Sequence, residues 1–514
     1  MKYFIYKIYA ISFLIAILLI QPAVSSTNGK IQYKSENLSN YFSGIIAANK
    51  HDSDEAFEYL KEVKFLKDKH YNFNIEFIRT LVLLEKFNKA YEFSESVWSE
   101  NEFFFEADLL LGLDSFIKKD YKKAEKHFDR LNKISRYNVF FEDFIGNVLL
   151  AWNKASQGYK EDSFKFIEKI PQPYSHLKKT QDAFLECYFN TPGTEQAFEE
   201  IIQDKDYNFL RYNFFLINHF LYKNKNLEAK KIIAKSRGED DSNLLLKETE
   251  SFFLKNKHHK IKNFYNCQNP EDSLAEFFYV IANLYASEDD YQLSNFYLKI
   301  SLLLNEKFLP NKALLAENFY FQKKYNLSKK IYRSLKSIGP TYSWYASKSI
   351  STILLEEKGK KYSVDKLEKE FNSLINPNFK HYYEMANFYK DNDYHEESIK
   401  YYSLALNEIK ENHSLIPKIL DRRGTSFERL GDWKNAEKDL MESLNILPDQ
   451  PHVLNYLAYS WIDKGVNLEK GLEMLKKANE LKKENGYIID SLGWAYYAKK
   501  NYAEAEKFLQ KAVE

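Results

Sequence analysis

The chain has 514 residues, with 74 Lys+Arg against 73 Asp+Glu and a formal net charge of +1. That balance gives no global drive toward nucleic acid or an anionic surface, and only 9 of the basic residues are Arg, the type suited to bidentate phosphate recognition. With 15 Gly and 11 Pro, turn residues are too scarce for an all-β chain, while 44% hydrophobic and 29% charged residues exclude a disordered or polytopic membrane chain.

The N-terminus has the pattern of an export signal. Residues 1–7 carry two Lys and no acid, residues 8–20 are apolar apart from Ser12, and Gln21-Pro22 break the run. Ala23-Val24-Ser25 places small residues at the −3 and −1 positions for cleavage after Ser25, with no Cys to mark a lipoprotein. Residues 1–25 are therefore read as a signal peptide and 26–36 as a linker. The alternative is a retained anchor, because the uncharged stretch from Ile8 to Gly29 is long enough to span a bilayer. The expected location is the exported space, the periplasm, or the inner membrane if the segment is retained.

Beyond the linker, one period recurs. An aromatic or apolar residue, two positions, a small residue, three positions and a large residue appear in Tyr121-x2-Ala124-x3-Phe128, Phe87-x2-Ala90-x3-Ser94 and Tyr291-x2-Ser294-x3-Leu298. They recur in Tyr325-x2-Ser328-x3-Tyr332, Trp433-x2-Ala436-x3-Leu440 and Tyr502-x2-Ala505-x3-Leu509. Twelve residues before the small position sits a second anchor: Gly44, Ile78, Gly112, Ile217, Ala282, Ala316, Gly424 and Gly493. Gly146, Ile350, Ala386 and Ala458, with slots near residues 184 and 250, complete a ladder of about fourteen steps near 34 residues. Small residues twelve apart let two antiparallel helices approach closely, and the large residues beside them fill the gaps. Each pair leaves apolar surface for the next to cover. Prolines at 310, 340 and 448 are expected to stop second helices.

Leu492-Gly493-x2-Tyr496 with Ala505, Leu509 and Ala512, and Gly424-x2-Phe427 with Ala436, Leu440 and Pro448, resemble the tetratricopeptide-repeat (TPR) family. Leu315-Ala316-x2-Phe319 with Ser328, Tyr332 and Pro340 is a further copy, and in Leu457-Ala458-x2-Trp461 a one-residue insertion moves the small position to Gly471. The resemblance implies an all-α, TPR-type α-solenoid superhelix of stacked antiparallel helix pairs. It divides the chain into N-terminal TPR-like repeats at 37–156, divergent helical repeats at 157–271 and C-terminal TPR repeats at 272–514. The block from Leu454 to Tyr497 also resembles the terminal repeats of exported TPR proteins of Gram-negative bacteria.

No HExxH, GxSxG, glycine-rich phosphate loop or CxxC pair is present, so neither catalytic residues nor a cofactor are expected. His258-His259 with Cys267 falls short of the four ligands of a zinc site, so no metal is expected either. Counting about two repeats of packed helices between Cys187 and Cys267 leads to the expectation that they do not pair.

The family binds extended peptides or partner helices along the first helices of its repeats. Carried over position by position, that groove falls on Tyr383, Asn387, Asp421, Thr425, Asn455, Tyr459, Asp490, Trp494 and Tyr497. The basic clamp of chaperone-binding members is not matched, because Tyr383, Asp421 and Asp490 stand where it needs Lys. The expected function is a non-enzymatic protein-binding scaffold of the cell envelope, holding peptide or protein partners and no nucleic acid. The alternative is a membrane-tethered structural or regulatory subunit of an envelope assembly or secretion complex, with membrane contact only through a retained N-terminus. Because Glu514 falls within the last second helix, a second copy or a partner is expected to cover that uncapped repeat.

Overall fold

The computed structural model describes residues 35–135, 144–203, 210–236 and 243–513; the expected signal peptide lies outside them. The described residues form 28 α-helices, three short 3-10 segments and no strand. The helices pair in sequence, from Ser35–Asn49 with Ser53–Leu60 to Gly486–Ala498 with Tyr502–Val513. The all-α helix-pair architecture matches the sequence expectation.

One backbone feature sets the register. Between the two helices of every pair sits a residue with positive φ: His51, Glu85, Lys119, Gly158, Asn190, Asn224, Asn256, Asp289, Lys323, Gly359, Asp393, Gly431, Gly465 and Lys500. These fourteen positions are 32 to 39 residues apart. In thirteen of the turns the left-handed residue donates its N–H three residues back and its successor donates five residues back, as in Lys119→Phe116 (2.9 Å) with Asp120→Ser115 (2.9 Å). This is the Schellman closure, which satisfies carbonyls that the ending helix leaves open. Gly359 differs, donating to Leu355 four residues back (3.1 Å).

Seven residues before the turn lies the helix crossing. At Gly112 an added Cβ would meet Phe128 Cε1 at 2.4 Å, and at Gly493 it would meet Leu509 Cγ at 2.7 Å. The large side chain sixteen residues on occupies the space a Cβ would need. In two pairs a hydroxyl reports the same approach: Ser328 Oγ donates to the Ala316 carbonyl at 2.8 Å, and Ser363 Oγ to that of Ser351.

The structure corrects four rungs of the sequence ladder. The buried anchors are Ala151 rather than Gly146, Ala183 and Thr249 at the two open slots, and Ser351 rather than Ile350. The Ser351 shift follows from the different turn at Gly359. Prolines 310 and 340 also act differently from expectation, since they occupy the first turn of the following helices Leu309–Phe321 and Pro340–Lys358. Their fixed φ and missing N–H suit that position.

The chain divides into two compact units. One takes the described residues up to Thr191 together with Gln268–Ala282 and Gln292–Leu304. In it a late pair returns to early ones, with Phe277 5.3 Å from Phe144 and Lys299 Nζ 2.5 Å from Glu85 Oε1. Its core also holds fully buried Asp108, which accepts from Trp98 Nε1 (2.8 Å) and Arg130 Nε (2.9 Å) and pairs with His127 Nδ1 (2.9 Å). Arg130 in turn donates to the carbonyls of Ser99 (2.9 Å) and Glu100 (2.8 Å), which fixes that loop.

The same return explains why the expectation for the cysteines fails. Gln268 Nε2 donates to the Cys187 carbonyl at 3.0 Å, so the chain around 268 lies beside the end of Ser175–Tyr188. Cys187 and Cys267, the chain's two cysteines, are both disulfide-bonded and no free thiol is left. Counting layers assumed a strictly linear stack, which this segment is not.

The second unit takes Pro192–Cys267, Asn283–Tyr291 and the residues from Asn305 onward. Here the divergent stretch is tied to the regular repeats by Glu248. Its Oε2 accepts the N–H groups of Thr341 (2.8 Å) and Tyr342 (3.2 Å), capping Pro340–Lys358. A Cβ on Gly339 would lie 1.9 Å from Glu248 Oε1, so a larger residue there would have to displace the capping carboxylate.

The crossing makes a graded prediction. Gly112→Ala should lower the urea midpoint by the equivalent of about 1–3 kcal/mol, the usual range for overpacking. Gly424→Ala should be close to neutral. Its Cβ meets Leu440 Cγ only at 3.1 Å, and the helix-propensity gain of about 1 kcal/mol offsets the squeeze.

Candidate functional site

The nine sequence-selected residues lie on four first helices of the second unit: Phe379–Asp391, Ile416–Arg429, Pro451–Asp463 and Gly486–Ala498. These helices start at defined caps. Asn378 forms a capping box with His381, Pro417 and Pro451 occupy first turns, and Asn485 Oδ1 accepts from Ile488 N at 3.2 Å. The caps fix where each helix begins, and therefore which residues recur at equivalent positions of successive repeats.

The first helix uses its candidates internally. Tyr383 is buried against Tyr402, with ring centroids 6.1 Å apart, and the Arg422 guanidinium lies 5.8 Å over its ring. Asn387 Oδ1 accepts from Tyr402 Oη (2.7 Å) and Arg422 Nη1 (2.5 Å). On the second helix Thr425 donates to the Asp421 carbonyl within the same helix (3.0 Å). These side chains set the spacing of the helices and have little left to offer a ligand.

Of the other candidates, Asp421 and Asn455 are half-buried and the remaining four are exposed. Among the described residues no cation lies within ion-pair distance of the Asp421 carboxylate, although its charge interacts with Arg422, Lys390, His452 and Lys418. Burial pushes its carboxyl above the ordinary range, against the downward pull of those cations. Asn455 Oδ1 is buried and accepts no hydrogen bond. Tyr459, Trp494 and Tyr497 are 40%, 37% and 50% exposed, and Asp490 is exposed beside them. Trp494 and Tyr497 stack at 5.3 Å and 16°, and Tyr502 meets Tyr497 edge-on at 5.6 Å. The open part of the row therefore offers hydrogen-bond acceptors and aromatic faces. Its chemistry suits a ligand that supplies N–H donors and cationic or apolar side chains.

Arg422, Tyr502 and Glu428 were missed from sequence. Arg422 binds both Asn387 and the Tyr383 face, and Glu428 accepts from Tyr456 Oη at 2.7 Å. The adjacent pair Arg422-Arg423, in a chain with 9 Arg, was the available signal. Arg423 replaces the Leu expected at that position because it forks onto buried Asp439 at 2.6 and 2.8 Å. His258 and His259 do not join Cys267 as ligands, since that sulfur is in a disulfide and His258 stacks on Phe253 at 4.7 Å.

A second cleft, of about 280 Å3, lies in the N-terminal unit over Phe57, Phe77 and Phe93. Phe57 and Phe77 stack at 6.2 Å, and Lys86 and Lys89 approach the Phe57 ring to 4.9 and 5.8 Å.

Asp421 gives a pH prediction. Its carboxyl is raised in the folded state, so its favourable contribution is complete below the unfolded value near 4 and is lost as pH rises through the folded value. Asp421→Asn should therefore raise the thermal midpoint at pH 7, with wild type and variant converging below pH 4. Paired melting curves from pH 3.5 to 8 measure this.

No family model matches the chain. It is 29% identical over 124 residues to a TPR repeat-containing protein of Pseudomonas aeruginosa, a match covering 24% of this chain and 20% of that protein. Similar solved structures include YrrB, a TPR protein with an unusual peptide-binding site (18% identical, TM-score 0.26, 33% of this chain and 84% of that one). MamA from Desulfovibrio magneticus is 19% identical, with a TM-score of 0.29 over 33% of this chain and 93% of that one. The Cut9–Hcn1 hetero-tetramer of APC/C is 10% identical, with a TM-score of 0.35 over 93% and 97%. The resemblance to TPR proteins thus has a curated relative behind it, over about a quarter of the chain.

Proposed function

We propose that the chain is a non-enzymatic protein-binding scaffold of the cell envelope, which holds a peptide segment of its partner along the first helices of the C-terminal repeats. The observation that carries this reading is a row of unused acceptors at equivalent repeat positions, Asp421, Asn455 and Asp490, with the exposed rings of Tyr459 and Trp494 one turn on and Tyr497 stacked beside Trp494. A polypeptide in extended form supplies the complementary groups, main-chain N–H donors and Lys or Arg side chains that stack on Trp and Tyr. The segment best held is basic. Placement in the envelope is supported by the signal-like pattern of residues 1–25 and by the disulfide-bonded cysteines, a pairing that persists in oxidising compartments.

The test is a displayed-peptide selection on the mature chain, counter-selected on Trp494→Ala/Tyr497→Ala. Both residues are exposed, so the variant should keep the wild-type melting temperature within a few degrees. Enriched peptides should carry Lys or Arg and bind the double variant at least tenfold more weakly, about 1.4 kcal/mol or more. Peptides that bind wild type and variant equally would remove this face from the account.

A further inference from the structure

Three helices of the second unit, Tyr325–Leu335, Pro340–Lys358 and Lys360–Asn372, enclose a pocket of about 280 Å3. It is separate from the peptide row, and its chemistry is the reverse. Lys329 and Arg333, four apart on one helix, and Lys336, just past its C-terminus, all line it. Lys366 lines it from the facing helix, and Glu370 is the single carboxylate among its lining residues.

The hydrogen bonds show what remains unsatisfied. Glu370 is already engaged by Lys336 (2.6 Å), Lys366 (3.1 Å) and Ser347 Oγ (3.2 Å). Lys329 is held by Glu357 at 2.5 Å. Arg333 has no carboxylate within ion-pair distance among the described residues, and it is exposed at the mouth. Ser351 also lines the pocket, is 1% exposed, and its Oγ has no hydrogen-bond partner. A buried, unpartnered hydroxyl is costly and uncommon, and here it sits in a pocket rimmed by cations.

The unused groups can all donate, and only the Ser351 and Tyr362 hydroxyls can also accept: the Arg333 fork and the lysine protons beyond those given to Glu370 are donors alone. A ligand that complements them is an acceptor-only group, an oxyanion. Glu370 already demonstrates that chemistry in the pocket, because one oxyanion accepts there from two lysines and a serine. The volume limits the ligand to a small one, and Ile350 and Leu354 give one wall an apolar surface.

We propose that this pocket binds a small dianionic oxyanion of the phosphate class, either free or as the phosphoryl group of a small organic monoester. Arg333 and Lys366 supply the charge, and Ser351 the buried hydrogen bond. The scaffold thereby carries a small-molecule site beside its peptide face, independent of what that face binds.

The experiment is calorimetric titration of the full mature chain with inorganic phosphate and, separately, glycerol phosphate, at ionic strength held constant with chloride. Saturable binding below millimolar concentration is expected. A tenfold preference for glycerol phosphate assigns the site to a phosphomonoester, and equal affinity assigns it to the free anion. Arg333→Ala/Lys366→Ala should weaken binding at least tenfold without lowering the unliganded melting temperature, since neither side chain is buried. Ser351→Ala should weaken binding several-fold while leaving the unliganded chain at least as stable as wild type, because its buried hydroxyl has no internal partner to lose. No saturable binding, or binding undiminished in the folded double variant, overturns the proposal.

Discussion

The structure depends on a closed turn placed at a fixed distance from a close helix crossing. The left-handed residue ends the first helix of each pair and turns the chain by satisfying the carbonyls of the last turn. Seven residues earlier the two backbones touch, as Gly112 under Phe128 and Gly493 under Leu509 show. Thirteen repetitions of that unit, and a fourteenth with the altered turn at Gly359, place equivalent positions of neighbouring first helices within a compact unit in a row. The row gives the peptide face. Wherever second helices flank a first helix it also leaves clefts such as those at Phe57 and Ser351.

Ten of the fourteen turn residues are not glycine. His51, Glu85, Lys119, Lys323 and Lys500 adopt a backbone conformation that costs a side-chain-bearing residue about 1–2 kcal/mol. The two hydrogen bonds of the closure and the packing of the crossing hold them there. Asn or Asp fills five further turns, and these residues tolerate the left-handed region best. This economy of glycine explains how a chain with only 15 of them builds fourteen sharp reversals.

Small-x3-large spacing marks a crossing directly, so most of the fold was legible in the sequence. The weak stretch from Gln157 to Asn263 was not. There the second helices are short, with nine residues in Lys160–Glu168 and Thr194–Ile202 and five in His258–Lys262, and Thr249 stands in for the small anchor. The turn residues Asn190, Asn224 and Asn256 were a readable signal that helix patterning alone did not use. In the candidate site, position along the repeat puts Tyr459, Trp494 and Tyr497 on first helices, where their rings are exposed. It did not separate them from Tyr383 and Asn387, because the competing partners Arg422 and Tyr402 come from other helices. The disulfide was missed for the same reason, since a long-range return of the chain leaves no trace in a nearest-neighbour pattern.

The left-handed turn sets the register of every described helix pair, including those of the divergent stretch. The direct measurement is denaturant unfolding of Gly and Val variants at Lys119, in a well-patterned repeat, and at Asn224, in the divergent one. Glycine should be neutral or stabilising at both, and valine should cost about 2 kcal/mol at both, because a β-branched residue is excluded from positive φ. A valine tolerated without loss at Asn224 would contradict the account by showing that the divergent repeats are held by something other than this turn.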